Sequence, residues 1–279
     1  MSENCSHNCS SCGEPIVRND FLDIVRYLRS KYDGNLVLLT NGLLISEKNV
    51  ADITRLFDYI SISIDGIDEE TTSIIRGKGI FAKTVKMIEL LHNNKFNEIE
   101  LSAILPNSIE VEKKFDQLCE KLSVKPVHRD LIYSGRAYEN ASGIQLAYEQ
   151  YMEKYGYSSY DNIANLSAGN LDLCNACRTT ISIDEVGNVY PCNLLQKEEF
   201  RIGNLLENPD LLYDYKNSEV SNTIERTRRM DTEPCKHCDV KKLCWFCLAD
   251  FYDWKRHPEL YRDYCSKRKR NIYKFYFEE

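Results

Sequence analysis

Eleven of the twelve cysteines of this 279-residue chain fall into three groups whose spacing could do chemistry. Cys5, Cys9 and Cys12 form the first group, Cys174, Cys177 and Cys192 the second, and Cys235, Cys238, Cys244, Cys247 and Cys265 the third. Thiolates are soft ligands suited to iron and zinc. Two close pairs with more distant cysteines can surround a cubane [4Fe-4S] cluster while stapling a segment poor in apolar core. The competing chemistry is structural zinc, held by Cys235, Cys238, Cys244 and Cys247 as in a small all-thiolate site. That arrangement leaves Cys174, Cys177, Cys192 and Cys265 without partners. Cys119 stands alone in Ile109 to Leu122, where apolar residues recur at helical spacing, and reads as a buried packing residue.

Composition bounds what the cysteines serve. With 43% apolar and 28% charged residues the chain can bury a real core, which argues against disorder and against a disulfide miniprotein. Its 43 acidic and 36 basic residues give a net charge of -7, so neither nucleic acid nor an anionic membrane is an expected partner. No apolar run approaches the roughly 20 residues that cross a bilayer, and Met1 to Asn4 lacks the regions of a secretory signal. A cytoplasmic location is expected, where thiols stay reduced and disulfides are rare. The basic run Lys267 to Arg270 reads as a solvated helix face.

The elements that would position these groups differ between the two halves. Asn19 and Asp20 can cap a helix from Phe21 to Leu28, and Asn35 to Thr40 reads as a buried strand ended by Asn41 and Gly42. A helix from Ser46 to Leu56 and a strand from Tyr59 to Ile64, ended by Asp65 and Gly66, continue the rhythm. Phe81 to His92 reads as a further helix, and Glu98 to Leu105 and Val127 to Tyr133 as further strands. Strands separated by helices imply parallel β-structure with right-handed crossovers, and such folds place ligands at the carboxyl ends of the strands. Beyond about residue 140 the rhythm stops. Thr179 to Asp184, Gly187 and Asn188 to Tyr190 suggest a hairpin flanked by cysteines.

Cys177-x9-Gly187-x4-Cys192, then Cys235-x2-Cys238-x5-Cys244-x2-Cys247, then Cys265, resembles the SPASM module found at the C-terminus of many radical SAM enzymes. The preceding half is similar to the same superfamily. Gly13-Glu14-Pro15, Thr40-Asn41-Gly42, Ser61 to Gly66 and Arg76 to Gly79 occur in the family's order. The resemblance implies an α/β chain with a partial, incomplete parallel β/α barrel over residues 1–140. A helical connection over 141–172 and a small cysteine-rich α+β SPASM domain over 173–279 would follow. It implies two auxiliary [4Fe-4S] clusters, the first on Cys174, Cys177, Cys192 and Cys247 and the second on Cys235, Cys238, Cys244 and Cys265. The Cys244 to Cys247 spacing is one residue shorter than the family's commonest, which bears on how these ligands divide between the clusters.

Cys5-x3-Cys9-x2-Cys12 matches the motif that holds the radical SAM cluster by three thiolates, leaving one iron open to S-adenosylmethionine. In the family such a reduced cluster cleaves S-adenosylmethionine and yields a 5′-deoxyadenosyl radical. Here Cys12 abuts Gly13, where other members have a helix and a strand between the triad and the glycine-rich motif. The first βα unit and the second strand are therefore expected to be missing, leaving about four barrel strands, and His7 to Ser11 reads as too polar for a buried strand. Two readings stay open: an internal deletion joins a cluster loop to the Gly13-Glu14-Pro15 turn, or these cysteines belong to a shortened leader. Among the remaining contacts, the resemblance implies that Glu14 accepts from the ammonium of S-adenosylmethionine. Ser63 and Asp65 would reach its ribose, Arg76 its carboxylate, and Asn107 the nucleoside.

The resemblance implies an enzyme that reductively cleaves S-adenosylmethionine to modify a ribosomally made peptide or a protein, with a ferredoxin or flavodoxin as reductant. Asn193 stands where sulfatase-maturing members have an aspartate base, and an amide cannot accept a proton at neutral pH, so that activity is not expected. The alternative reading is a catalytically inactive relative that binds two auxiliary clusters for electron transfer or peptide binding. A zinc-stabilised interaction module is a third.

Overall fold

The structure, a computed structural model, describes residues 8–9, 13–105, 109–129, 174–228, 230–244, 247–256 and 258–277. Cys5, Cys12, Asn107 and the connection expected over 141–172 lie outside these residues. The chain divides into two units, residues 1–160 and 161–279.

In the first unit, apolar runs of five or six residues are too short for helices and are flanked by turn residues, and they form strands. β1 (Asn8–Cys9), β2 (Leu36–Thr40), β3 (Tyr59–Ser63), β4 (Ile99–Ile104) and β5 (Lys125–Arg129) make one parallel sheet in sequence order. Between them run α1 (Phe21–Arg29), α2 (Val50–Leu56), α3 (Glu69–Arg76), α4 (Ile80–Asn93) and α5 (Ile109–Leu122). Sequential order with crossovers of one hand places the helices on one face of the sheet, as in a β/α barrel. Strand alternation sorts the side chains accordingly. Leu36, Leu38, Ile60, Ile62, Ile99, Leu101 and Ala103 join Phe21, Val25, Ile53, Leu56, Met87, Ile88, Leu91, Val111 and Phe115 in one buried core. The register pairs Leu39 with Ser61 and Ser63 with Ser102 on the opposite, more polar face. Cys119 is fully buried in this core, as its helical context implied.

Several expectations need correcting. A two-residue strand, β1, pairs Asn8 with Leu36 and Cys9 with Val37 and adds a fifth strand to the four longer ones expected of the partial barrel. A two-residue strand with one neighbour tolerates the polarity that argued against it. Asp20 caps α1 without a side-chain bond to the helix, because Arg18 takes its carboxylate at 2.5 and 2.9 Å. The helix expected from Ser46 begins at Val50, where Asn49 Oδ1 instead accepts the Ser46 N–H at 2.8 Å. β5 starts two residues earlier than expected, and residues 130–133 lie outside those described.

In the second unit, β6 (Ser182–Ile183) and β7 (Asn188–Tyr190) form the expected hairpin, and β8 (Gly203–Asn204) adds an antiparallel third strand. Gly187, at φ +86°, makes the turn that a side chain would strain. Asp184 closes it by accepting from Asn188 N and Val186 N at 2.8 and 3.1 Å. Helices Glu219–Arg228, Leu248–Arg256 and Pro258–Tyr276 follow, joined by 3₁₀ turns at Cys235–His237 and Lys241–Leu243. The core is small: Ala176, Leu195, Phe200, Ile224, Leu248, Ala249 and Phe251. In the basic run on the last helix, Lys269 and Arg270 are exposed. Among the described residues no helix is long and apolar enough to cross a membrane.

Candidate active site and cluster sites

The turns after consecutive strands gather the first group of candidate side chains. Glu14, between Gly13 at φ +100° and Pro15, opens a 3₁₀ turn (Pro15–Val17). Its Oε1 accepts from Thr40 Oγ1 at 2.7 Å and Ile16 N at 3.3 Å, and its Oε2 from Asn41 N at 2.8 Å. All three donors are neutral, and among the described residues Glu14 has no cationic partner. A carboxylate held this way has lone pairs left for an ammonium. Thr40 is the residue sequence reasoning passed over here. Its hydroxyl donates to Glu14 and accepts from Gly42 N at 3.0 Å, and its place in Thr40-Asn41-Gly42 was the available signal.

Asp65 ends the β3 run with φ 51°, a left-handed conformation that aspartate tolerates better than most residues. The side chain is nearly buried. Its Oδ1 accepts the Ile104 N–H at 2.9 Å, and its Oδ2 faces Arg76 Nε at 2.8 Å and Nη2 at 2.5 Å. Arg76, the last residue of α3, is thus paired with Asp65. Gly66 is fixed by space, because a Cβ there would lie 2.2 Å from Thr72 Oγ1 and 2.5 Å from Thr72 N. Ser63 lies two residues before Asp65, half-buried, opposite Ser102. The structure therefore brings Glu14 to the β2 turn and Arg76 to Asp65. Cys9 falls within β1.

The second group lies in the C-terminal unit. Cys177 is buried at φ 57°, and burial pushes its thiol up while a hydrogen bond with Ser221 and the charge of Arg228 work against that. Cys192 is also raised, first by burial, and its neighbours include both Cys174 and Cys177. Cys247 packs against the same core as Cys174, Cys192, Cys235 and Cys244. Near the third group, burial raises Cys235 and Cys265, and the Tyr261 hydroxyl offsets this at both, lying 3.3 Å from Cys235 Sγ. Cys265 interacts with Cys235 and Cys238, and Cys244 touches both this region and the larger core.

Cys174, Cys192, Cys235, Cys244 and Cys247 pack against one apolar cluster and Cys238 and Cys244 against a second, and thiols are the donor chemistry that suits iron–sulfur clusters. Among the described residues no three His, Cys, Asp or Glu side chains gather closely enough to hold one metal ion. A cubane spreads its thiolates over a wider volume than a single zinc with Zn–S bonds of about 2.3 Å. A further sign of fit is Arg228, whose Nε is buried without a hydrogen-bond partner among the described residues.

Residues 1–120 match the radical SAM superfamily, and residues 174–239 match the SPASM iron–sulfur cluster-binding domain. The mycofactocin maturase MftC of Mycolicibacterium smegmatis is 27% identical over 247 residues, covering 82% of this chain and 62% of the relative. The AdoMet-dependent heme synthase of Methanosarcina barkeri is 26% identical over 275 residues, covering 87% and 77%. The chain spans about three fifths of the length of the MftC relatives it matches. Among solved structures, anSMEcpe with bound AdoMet aligns with a TM-score of 0.58 at 18% identity, covering 87% of this chain and 75% of that one. Streptococcus suis SuiB bound to its precursor peptide SuiA aligns at 0.60 and 15%, covering 88% and 62%. These likenesses show the fold. The two matched domains imply [4Fe-4S] clusters and S-adenosylmethionine as cofactors. The strand-end turns of the partial β/α barrel fall within a region, residues 1–120, that matches the radical SAM superfamily, and the cysteine-rich part falls in and beyond a SPASM iron–sulfur cluster-binding domain over residues 174–239.

Proposed function

We propose that the chain binds S-adenosylmethionine at its strand-end turns and modifies a ribosomally made peptide or a protein. The observation that carries the reading is Glu14, a carboxylate pinned by three neutral donors and lacking a cation among the described residues. Glu14 would receive the ammonium of S-adenosylmethionine. Ser63 and Asp65 would serve the ribose, Asn107 the nucleoside, and the nitrogens of Arg76 not turned to Asp65 the carboxylate. Gly13 and Pro15 set the turn that presents Glu14. Cys5, Cys9 and Cys12 would hold the cluster that meets S-adenosylmethionine. When bound and reduced, that cluster supplies the electron for cleaving S-adenosylmethionine, and so the power to take hydrogen from an unactivated carbon.

In the same reading, Cys174, Cys177, Cys192 and Cys247 hold one auxiliary cluster and Cys235, Cys238, Cys244 and Cys265 the other. The functional division is a barrel-like part over 1–140, a connection over 141–172 and a SPASM part over 173–279. A ferredoxin or flavodoxin would be the reductant, the setting cytoplasmic, and nucleic acid no partner. Support for a peptide substrate comes from relatives: MftC is named a maturase, and SuiB is seen with a precursor peptide. The heme synthase is matched over more of its length than MftC, so a tetrapyrrole is the competing substrate.

The test is dithionite-dependent formation of 5′-deoxyadenosine by anaerobically reconstituted protein, beside a variant with Cys5, Cys9 and Cys12 replaced by alanine. The proposal expects product from the parent alone, with about twelve irons per chain at four per cubane. Turnover that survives in the variant, or none in either with about eight irons, would overturn it, and the second result would favour the inactive two-cluster relative. Adding candidate precursor peptides or a tetrapyrrole to the active protein then separates the two substrate classes.

A further inference from the structure

Arg228 is the last residue of helix Glu219–Arg228, and its side chain is only 5% exposed. A guanidinium is costly to bury unless its charge and its N–H groups are met. Nη2 donates to the carbonyl of Ala176, the residue before Cys177, and Nη1 to Glu225 one turn earlier. Nε is buried without a partner among the described residues. Glu225 does not neutralise the group by itself, because it is shared with Arg178, 3.4 Å away. Glu225 is thus divided between two guanidiniums beside the second cysteine group. At the third group the hydrogen-bonding neighbour of Cys235 is the hydroxyl of Tyr261, and the Lys241 charge also acts on that thiol.

We infer that Arg228 is the charge partner of the cluster held by Cys174, Cys177, Cys192 and Cys247, and that it sets this cluster's reduction potential above the value the thiolates alone would give. The inference rests on the ligand assignment proposed above. A cubane with four thiolates is anionic and becomes more so on reduction, so a buried cation favours the reduced form more than the oxidised one. The orphaned Nε–H is a donor for which cluster or thiolate sulfur is a fitting acceptor. Arg228 is thus a positioning and tuning residue, acting on the bound group rather than on substrate.

The experiment is an EPR-monitored redox titration of the anaerobically isolated holoprotein and three variants. Arg228→Gln should move one auxiliary cluster to a more negative midpoint potential and leave the other unchanged, whereas Arg228→Lys should keep most of the parent value. Glu225→Gln removes the opposing negative charge and should move the same cluster in the positive direction. A purely structural role predicts instead that Glu225→Gln and Arg228→Gln disturb the cluster alike. Should Arg228→Gln fail to accumulate, the sign of the Glu225→Gln shift decides by itself. Both clusters retained with neither potential moved would overturn the inference. A Cys177→Ser protein identifies the cluster concerned, and if that protein keeps its full iron and sulfide content, the ligand assignment has failed instead.

Discussion

Arg76 holds one oxygen of Asp65 from two nitrogens, Nε at 2.8 Å and Nη2 at 2.5 Å, while the other oxygen takes the Ile104 N–H. The pair fastens the end of α3 to the turn after β3, and Asp65 links both to the end of β4. Removing Arg76 takes two guanidinium contacts from a carboxylate with 11% of its side chain exposed. Arg76→Met is expected to destabilise the protein by about 2–3 kcal/mol, below the largest losses for fully buried pairs because Arg76 is partly solvated. Urea denaturation measures this, and a loss under about 0.5 kcal/mol would mean the pair is a surface contact.

Cys119 should be chemically silent. Its thiol is pushed up to about 12, by burial first and then by the charge of Asp116. At pH 8 the thiolate fraction is then roughly a thousandfold below that of an ordinary cysteine, and access is also closed. Iodoacetamide labelling of the folded protein, read by peptide mass spectrometry, is expected to spare Cys119 and to modify it only after denaturation.

Tyr261 sits on the same helical face as Cys265 and 3.3 Å from Cys235. A thiolate ligand has no proton to give, so in the loaded protein the hydroxyl must donate. Tyr261→Phe removes that donor with little change in volume. The cluster on the third cysteine group is expected to shift by on the order of tens of millivolts to more negative potential, with iron content unchanged. An unmoved potential in a fully loaded variant would assign Tyr261 to packing against Phe251 alone.

Asp58 carries a pH prediction. Burial opposes its ionisation, but the Leu36 N–H at 2.7 Å and the Arg29 guanidinium at 2.5 Å outweigh this and hold its carboxyl below the usual range. A folded-state pKa below the unfolded value of about 3.9 means that the contribution is present above that pH and is lost as pH falls through the folded value. Because the Asp58 side chain is 39% exposed and solvent screens the pair, Asp58→Asn is expected to cost only about 0.5 kcal/mol at pH 7, with the difference from the parent closing below about pH 4. Urea titrations at both ends of that range test it.

Strands β2, β3 and β4 were legible because each apolar run ends at a turn-forming pair such as Asn41-Gly42 or Asp65-Gly66. α3 was not, and its burial explains why. The residues it buries are Thr71 and Thr72, while Ile74 and Ile75 are exposed, so hydrophobic periodicity carries no trace of it. β1 and β8 have two residues each, too few for any alternation to register. The cysteine groups were legible because ligand spacing is written along the chain. Arg228 was not, since its buried setting depends on a loop 52 residues away in sequence.

The turns after the strands are joined as neighbours: Glu14 after β1 to Thr40 and Asn41 after β2, and Asp65 after β3 to Ile104 at the end of β4. This has a meaning for inheritance. The side-chain to side-chain contact between Glu14 and Thr40 makes those two positions a unit of change, so descendants that lose one are expected to lose or replace the other. The Asp65 contact is to backbone and imposes no such debt on residue 104. Drift at the first pair of turns should therefore be coupled, and drift at the second should spare Asp65 while leaving its neighbour free to vary.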